Sequence, residues 1–501
     1  MLKPHTALIG LAGVVACIAA APLAFLGVEL LSAPIESITR VFQRPQTLVV
    51  LSNTAILVLT VTVGSLLLGL TTALILTRIR LPLMKFWWIA ATLPLAIPSF
   101  VAGLSWVTLT DLRGLSGSWV VLVLSTAPYI TLPTVAALRR SDPSLEDVAR
   151  CLGYGRFRAF CTATLPQVIP AAASGALLVA LYCVAEYGVV SIMRYQTLTI
   201  GVQAAFSGSF NRSLAIVLSA ILAVFALLII GVERVLRAPT QRFRIHVATA
   251  PPVRSRFVTV SAIFWLAVVF GLSVGLPVVD ILMRFTASLA EPHAEYLRML
   301  TAAGVTLGLG LCAAFGALLL ALPISILLSQ RSTKLLRTLE TFTYLGHGLP
   351  GIVVGLAMVY MALKFVPGLY QTLPLLVIAY SLMFCAKAVG STRTALAQVP
   401  ASLHDAARSL GASPLSVWWR VTAHLSWPGI AAGTLIVAVT VMKELPATLM
   451  LRPIGVDTLA TRLWQLNDIN AYGAAAPYSL MLIGVAAIPA LLLAQTPSSE
   501  G

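Results

Sequence analysis

Two short polar segments carry the strongest chemical pattern in this chain, and they repeat each other. DVARCLG (residues 147–153) recurs as DAARSLG (residues 405–411), a shift of 258 residues. In each copy a serine stands three residues before the aspartate, which is the spacing of a capping box at a helix start. The closing Gly153 and Gly411 favour the left-handed residue that ends a short helix. Each segment is therefore predicted to form a short exposed helix that a partner protein can grip.

Two acidic residues repeat with the same shift, which carries Glu186 onto Glu444 and Arg194 onto Arg452. Each glutamate stands roughly 17 residues into an apolar run, about 25 Å along a helix and toward the outer face of a membrane. A carboxylate at such depth is costly unless it is paired or faces water. Two interpretations stay open: an ion pair with the arginine eight residues on, or a polar lining of an outer gate that meets substrate or a binding protein.

Prolines also stand at matching positions. IPSFVAGL (residues 97–104) matches LPGIVVGL (residues 349–356) at a shift of 252, which aligns Pro98 with Pro350. Both prolines could be ordinary helix kinks. Proline and glycine interruptions at corresponding positions of two halves are also the best sequence pointer to a translocation path. We therefore include Pro98 and Pro350 among the candidate pathway residues.

The elements that position these residues are membrane helices. The 501 residues are 59% hydrophobic and 10% charged, with a mean hydropathy of +0.95, whereas a soluble domain is about 25% charged. The apolar runs are continuous and near the roughly 20 residues that cross a bilayer, so they predict helices and not barrel strands. The sequence predicts an all-α polytopic membrane protein with about twelve spans, near residues 7–31, 47–77, 86–110, 117–137, 168–190, 213–235, 258–283, 299–329, 340–363, 373–391, 429–451 and 477–495.

The predicted spans form two groups of six. The first half covers residues 1–236, a basic cytoplasmic linker covers residues 237–257, and the second half covers residues 258–501. Because each half has an even number of spans, both halves enter the membrane from the same side, as parallel repeats. Placing the N-terminus inside puts 22 of the 33 Lys and Arg in the cytoplasm, so the charge distribution predicts that both termini are cytoplasmic.

The same inventory excludes several functions. The net charge of +16 reflects cytoplasmic loops beside anionic membrane lipid, and it does not indicate a nucleic-acid partner. The six cysteines form no CxxC pair, so neither a zinc site nor a redox site is expected. The chain also lacks the GxxxxGK[ST] phosphate loop and the HExxH and GxSxG motifs. We expect no ATP binding by this chain, no metal, no cofactor and no enzymatic activity.

The repeated segments resemble the EAA loop of permeases in binding-protein-dependent ABC importers. The first copy is followed a dozen residues later by Leu165 and Pro166, as in that family, and it carries Val148 in place of an alanine. The resemblance implies a fused permease of the type I importer fold, in which each loop docks into a separate ATPase subunit. The residues it assigns to coupling are Asp147, Ala149, Gly153, Asp405, Ala406, Ala407 and Gly411.

The segments after the two loops, residues 186–215 and 443–466, are similar to those of ferric-iron permeases. The resemblance covers nearly the whole chain and implies a bacterial inner membrane protein that passes ferric iron from a periplasmic or lipid-anchored solute-binding protein to the cytoplasm. It implies two copies of a cytoplasmic ATPase subunit, which bind the ATP and magnesium. Thiamine, polyamine and oxyanion permeases are the alternatives within the class. A gradient-driven 6+6 secondary transporter is the alternative outside it, although such a carrier has no need for two cytoplasmic handles.

Overall fold

The computed structural model describes residues 3–208, 211–236, 255–288, 296–330 and 333–494, and all of their regular elements are helices. The helices that precede residue 237 are α1 (Lys3–Ser32), α2 (Ile35–Gln43), α3 (Pro45–Arg78), α4 (Met84–Thr92), α5 (Ser99–Thr110), α6 (Gly114–Thr126), α7 (Pro128–Arg140), α8 (Ser144–Cys151), α9 (Arg156–Ala159), α10 (Leu165–Ala185), α11 (Gly188–Ile192), α12 (Leu198–Gln203) and α13 (Arg212–Leu236). Those that follow are α14 (Arg256–Phe270), α15 (Leu276–Ser288), α16 (Tyr296–Gln330), α17 (Lys334–Gly348), α18 (Gly351–Phe365), α19 (Leu373–Ala397), α20 (Ala401–Ser409), α21 (Pro414–Val417), α22 (His424–Met442), α23 (Pro446–Leu451), α24 (Leu459–Asp468) and α25 (Tyr472–Ala494).

Helix is found at all twelve predicted positions, but not every position holds a full crossing. Within the described residues, nine helices are long and apolar enough to span a membrane, and a tenth is added if a strongly bent pair counts as one span. That pair is Met84–Leu95 with Ser99–Thr110, bent by 92° just before α5. The corresponding helix of the second half, α18, is a short apolar helix of 15 residues. Both breaks occur at the aligned prolines, since Pro98 and Pro350 are the residues that directly precede α5 and α18.

The helices pack into two compact units that do not follow the order of the sequence. The first unit contains Met1–Ile38, Ala205–Ala223 and Ser288–Gly501, and the second unit contains Thr39–Ala204 and Val224–Ala287. Helix α1 therefore packs with the helices of the second half, chiefly α16 and α17, whereas α14 packs with α4 of the first half. The two halves thus exchange their first helices.

This packing does not test the predicted division of the sequence into residues 1–236 and 258–501, which stays a prediction. Most of the predicted linker, residues 237–254, lies outside the described residues. Its last residues, Arg256 and Phe257, already belong to α14.

Close helix packing in the second unit depends on two glycines. Gly69 of α3 and Gly175 of α10 lie on either side of Ile130 of α7, whose side chain is fully buried. A Cβ added at Gly69 would lie 2.9 Å from the Cβ of Ile130, and one at Gly175 would lie 2.8 Å from its Cα. Small residues at a helix interface let two backbones approach closely, which is how helices associate where lipid removes the hydrophobic driving force. α7 is therefore held between α3 and α10.

In the first unit, one carboxylate joins three distant segments. Glu29 near the end of α1 accepts hydrogen bonds from Arg212 at the start of α13 and from Lys364 near the end of α18, each at 2.8 Å. The side chain of Glu29 is only 12% exposed. Aromatic rings shield the pair, because the Lys364 ammonium lies 5.6 Å from the ring centroid of Phe25, which itself contacts Phe365 edge to face. This cluster fixes the exchanged first helix to the second half.

We expect the Gly175→Ala substitution to destabilise the protein. The new methyl group would lie 2.6 Å from the carbonyl oxygen of Tyr129, and that backbone cannot move aside without separating α7 from α10. Overpacking of this kind costs about 1–3 kcal/mol. Thermal unfolding of the purified protein in detergent measures the effect.

The matched control is Gly308→Ala in α16, where an added Cβ meets nothing within 4 Å. This change should leave the unfolding temperature the same or slightly higher, because alanine favours helix over glycine. Equal unfolding temperatures for the two variants would show that the contact around Ile130 does not limit packing.

Candidate coupling loops and pathway carboxylates

The first repeated segment forms a short helix, α8, that ends at a left-handed glycine. Gly153 has a φ of +89°. Its amide donates to the carbonyl of Arg150 at 3.0 Å, and the amide of Tyr154 donates to the carbonyl of Ala149 at 3.1 Å. This pair of bonds is the Schellman motif, which satisfies carbonyls that a helix end would leave free. The predicted helix stop is confirmed here.

The second segment has the same left-handed glycine and the same pair of backbone hydrogen bonds. Gly411 has a φ of +82°, its amide donates to the carbonyl of Arg408 at 2.9 Å, and the amide of Ala412 donates to that of Ala407 at 3.1 Å. The last alanine of each motif, Ala149 or Ala407, therefore supplies the carbonyl that closes the loop. An added Cβ at Gly153 or at Gly411 meets nothing within 4 Å, so only the backbone conformation requires glycine there.

The predicted capping boxes are wrong. The residue before α8 is Pro143 and the residue before α20 is Pro400, and neither helix has a side-chain cap. Ser144 is already the first helical residue, so its hydroxyl cannot reach forward to the amides it was expected to cap. Instead it donates at 2.6 Å to the Asp142 carboxylate, which also accepts from the Ser144 amide at 3.0 Å. Asp147 is thereby left on the outside of the helix.

The motif residues separate into an exposed and a buried set. Asp147, Asp405 and Ala406 are exposed, Ala407 is half-buried and Ala149 is buried. Each short helix thus turns its acid outward and packs its last alanine against the chain. The two loops present equivalent faces, and this geometry suits recognition by another protein.

Two of the three predicted pathway residues of the first half, Glu186 and Pro98, lie at one site. Glu186 directly follows α10, is 7% exposed, and lies beside the start of α5, where Pro98 marks the bend. Its carboxylate accepts hydrogen bonds from the hydroxyl of Ser99 at 3.1 Å and from the amide of Val189 at 2.8 Å. The hydroxyl of Thr199 donates to the Glu186 carbonyl at 2.8 Å. Glu186 therefore joins two helix breaks in one buried polar site.

The second half has the corresponding site around Glu444. Its carboxylate accepts from the amide of Ala447 at 3.2 Å, and the hydroxyl of Thr448 donates to its carbonyl at 2.7 Å. Gly351, which the 252-residue shift aligns with Ser99, directly follows Pro350 and lies against the same carboxylate, where an added Cβ would collide with it. In the second half, a glycine hydrogen therefore occupies the place that the Ser99 hydroxyl occupies in the first half.

The predicted ion pairs between these acids and the following arginines are wrong in both halves. The chain leaves the helix at each glutamate, so the spacing of eight residues does not bring the arginine back to it. Arg194 is exposed and has a φ of +55° at the end of α11. Arg452 instead pairs with Asp457, which also lies 3.6 Å from Arg298. Both arginines follow the carboxylate sites along the chain without contacting them.

Sequence reasoning missed the side chains that attach the loops to the membrane helices. Glu146 accepts hydrogen bonds from Arg78 and from Thr164, both at 2.9 Å. The 258-residue shift aligns Glu146 with His404 and Thr164 with Thr422, and the Nε2 of His404 lies 2.8 Å from the Oγ1 of Thr422. The repeat shift alone could have identified these pairs.

The charged surroundings of the two carboxylate sites differ. Glu444 interacts electrostatically with Lys387 of α19, whose ammonium lies 5.4 Å from the ring centroid of Phe384. The Glu186 carboxylate instead accepts from neutral donors, the Ser99 hydroxyl and the Val189 amide. Within the part of the chain that the structure describes, no group of three or more His, Cys, Asp or Glu is placed to hold a metal ion. The expectation that this chain binds no cofactor stays a prediction.

The chain is similar to known transport proteins over most of its length. Its residues 65–245 and 321–495 match the family described as binding-protein-dependent transport system inner membrane component, so the family's domain occurs twice. It is 33% identical to the Fe(3+)-transport system permease protein FbpB 2 of Haemophilus influenzae over 459 residues, which are 90% of each chain.

Other relatives match one part of the chain. The molybdenum transport system permease protein ModB of Mycobacterium tuberculosis is 30% identical over 43% of this chain and 84% of its own. The sulfate transport system permease protein CysT of Escherichia coli is 30% identical over 24% of this chain and 50% of its own. These relatives are transport permeases and not enzymes. The chain belongs to the family of inner membrane components of binding-protein-dependent transport systems, and it is a multi-pass ABC importer permease with two copies of the family domain in one polypeptide.

Proposed function

We propose that this permease passes ferric iron from a periplasmic binding protein to the cytoplasm by alternating access, driven by two copies of a separate ATPase subunit. The observation that carries the proposal is the repetition of the loops: two short helices, each closed by a Schellman motif at Gly153 or Gly411, each turn an aspartate outward. Two equivalent handles fit two copies of one partner.

Ferric iron is favoured as the cargo by the extent of the similarity. The match to the ferric-iron permease covers 90% of both chains, whereas the matches to the molybdenum and sulfate permeases cover less than half of this one. The buried oxygen donors of the Glu186 site also suit a hard trivalent cation, which favours oxygen ligands. A carboxylate there attracts the ion through its field and does not need to hold it.

An oxyanion is the second candidate cargo within the class. The similarity to the molybdenum and sulfate permeases supports it, and so does the positive charge of Lys387 beside Glu444. Thiamine and polyamine transport stay as further alternatives without a supporting observation here. A gradient-driven 6+6 secondary transporter is disfavoured because it does not explain the two repeated loops.

The proposal also implies how the chain is oriented in the membrane and which partners lie on each side of it. Both termini and both loops lie in the cytoplasm, in keeping with the excess of Lys and Arg on that side. ATP and magnesium bind to the ATPase subunits, while the periplasmic or lipid-anchored binding protein docks on the outer face. Anionic lipid lies beside the basic loops of the inner membrane.

Reconstitution tests the proposal. The tagged chain is purified from its native membrane in mild detergent together with the ATPase that copurifies with it, and both are reconstituted into liposomes to which a purified ferric-iron-binding protein of the same organism is added. Uptake of radiolabelled ferric iron should require internal ATP and both partners, while the chain alone should neither hydrolyse ATP nor take up iron under a proton gradient. Uptake of molybdate or sulfate in place of iron would change the cargo, and gradient-driven uptake by the chain alone would contradict the class.

We expect the Gly153→Val, Gly411→Val double variant to lose ATPase association while it still inserts into the membrane. A β-branched residue at a φ near +85° costs about 1–2 kcal/mol for each loop. The open space around each glycine confines the damage to the loop. Copurification of the ATPase should fall by about tenfold or more, since every 1.4 kcal/mol is a factor of ten in binding.

Gly155→Val is the matched control for the loop variant. Gly155 has an ordinary φ of −63° and equally open surroundings, so this change should leave association intact. Normal association and transport by the double variant would show that coupling does not need a left-handed residue in the loops.

We also expect Glu186→Gln with Glu444→Gln to reduce uptake without reducing yield. Each glutamine still accepts the hydrogen bond of the Val189 or Ala447 amide, so the helix breaks stay satisfied, whereas the negative charge is lost. If the charge serves the cargo, uptake of ferric iron should fall by about tenfold or more, the scale of electrostatic steering. Membrane yield and uptake per assembled complex are measured separately.

Arg194→Gln is the control for that pair, because Arg194 is exposed and makes no ion pair with Glu186. It should change neither yield nor stability. Full uptake at normal yield in the glutamate double variant would exclude a gate role, and the two carboxylates would then serve only to complete the helix breaks.

A further inference from the structure

The two loops are attached to their membrane helices by different chemistry. In the first loop, the Oε2 of Glu146 accepts from the Nη2 of Arg78 and from the Oγ1 of Thr164, both at 2.9 Å, and Arg78 also donates to Thr164 at 3.3 Å. The side chains of Arg78 and Glu146 are only 21% and 18% exposed. These three residues form a closed, partly buried triangle.

Arg78 matters because it is the last residue of α3. The triangle therefore links the short helix α8 to a continuous 34-residue membrane helix, about 51 Å long at 1.5 Å per residue. Ile130 of α7 packs against this helix at Gly69. A displacement of α8 would therefore act directly on α3, a long continuous helix.

The other end of α3 holds the segment that follows the Glu186 site. The side-chain amide of Asn53 donates to the carbonyl of Gln196 at 2.9 Å, and the hydroxyl of Thr54 accepts from the amide of Leu198 at 2.9 Å. The neighbouring Thr199 donates to the carbonyl of Glu186. Hydrogen bonds thus connect both ends of α3, one end to the loop and the other end to the carboxylate site.

The second half keeps only part of this connection. The hydroxyl of Thr306 in α16 accepts from the amide of Leu459 at 2.9 Å, which reproduces the contact of Thr54 with Leu198. At the loop end, His404 contacts Thr422, and within the described residues no ion pair ties α20 to α16. The described link of the second loop is thus a hydrogen bond between a ring nitrogen and a hydroxyl, which joins α20 to the segment that follows it.

We propose that α3 transmits the displacement of the first loop to the Glu186 site, and that Arg78 and Glu146 are the positioning residues that fasten the loop to it. The inference rests on the proposed function, because it assumes that an ATPase moves the loop. It adds that the two loops are fastened differently: an ionic link holds the first one to α3, whereas among the described residues the second one is held by the contact of His404 with Thr422.

The test separates assembly from coupling. Glu146→His copies the second loop into the first, since an imidazole can still bond to Thr164 but cannot form the ion pair with Arg78. Glu146→His and Arg78→Gln are reconstituted with the ATPase, and iron uptake per ATP hydrolysed is measured for the assembled complex. We expect assembly and ATP hydrolysis within about twofold of the parent and uptake per ATP lower by at least about threefold, the scale of coupling effects.

Two further variants complete the design. Arg78→Glu with Glu146→Arg restores an ion pair of reversed polarity and should recover most of the lost coupling. Asp111→Asn is the matched control, because it removes an exposed ion pair with Arg113 at 2.9 Å that lies outside both loops and contributes little, while asparagine tolerates the left-handed backbone at that position.

A purely structural role would lower the amount of assembled complex and leave uptake per ATP unchanged, and that result would overturn the inference. It would equally be overturned if Asp111→Asn lowered the ratio as much as Glu146→His. Failure of the parent complex to contain the ATPase would instead contradict the proposed function, so the two failures are distinguishable.

Discussion

A backbone amide inside an apolar environment must find an acceptor, and this requirement shapes both halves of the permease. The chain leaves the helix after α10 and again after α22, where the amides of the next short helix would lack partners. Glu186 and Glu444 supply the acceptors for Val189 and Ala447. These carboxylates therefore stabilise the two helix breaks, and they lie beside Ser99 and Gly351, the residues that follow the aligned prolines.

The sequence predicted the features that a local rule controls. Gly153 and Gly411 follow a short helical pattern, and only the left-handed conformation closes it, so their geometry was predictable. The 252- and 258-residue shifts aligned Pro98 with Pro350 and Glu186 with Glu444. The sequence alone therefore identified the glutamate of each carboxylate site and the proline that precedes the neighbouring helix. Apolar length placed the helices, although α18 proved too short for a full crossing.

The predictions were wrong where a rule based on sequence spacing alone did not take account of the neighbouring residues or of the packing of the helices. The capping boxes failed because a proline occupies the position before each helix, which makes the serine helical. The expected ion pairs failed because counting eight residues assumes a continuous helix, whereas the chain turns at each glutamate. The exchange of first helices could not be predicted, since an apolar run carries no information about which half it packs against.

The fused chain lets the two halves diverge, because each position has its own codon. Ser99 aligns with Gly351, and Glu146 aligns with His404, so one half uses a hydroxyl or an acid where the other uses a hydrogen or an imidazole. Identical subunits could not differ in this way. The repeated scaffold is kept while its polar contacts are specialised.

Glu29 places a condition on how this protein is synthesised. Its partner Lys364 lies 335 residues later in the chain, so at about 5–20 residues per second the ribosome needs roughly 20–70 s to reach it. During that interval the Glu29 carboxylate lacks its lysine partner. Folding of that unit is therefore completed only after most of the chain has emerged from the ribosome.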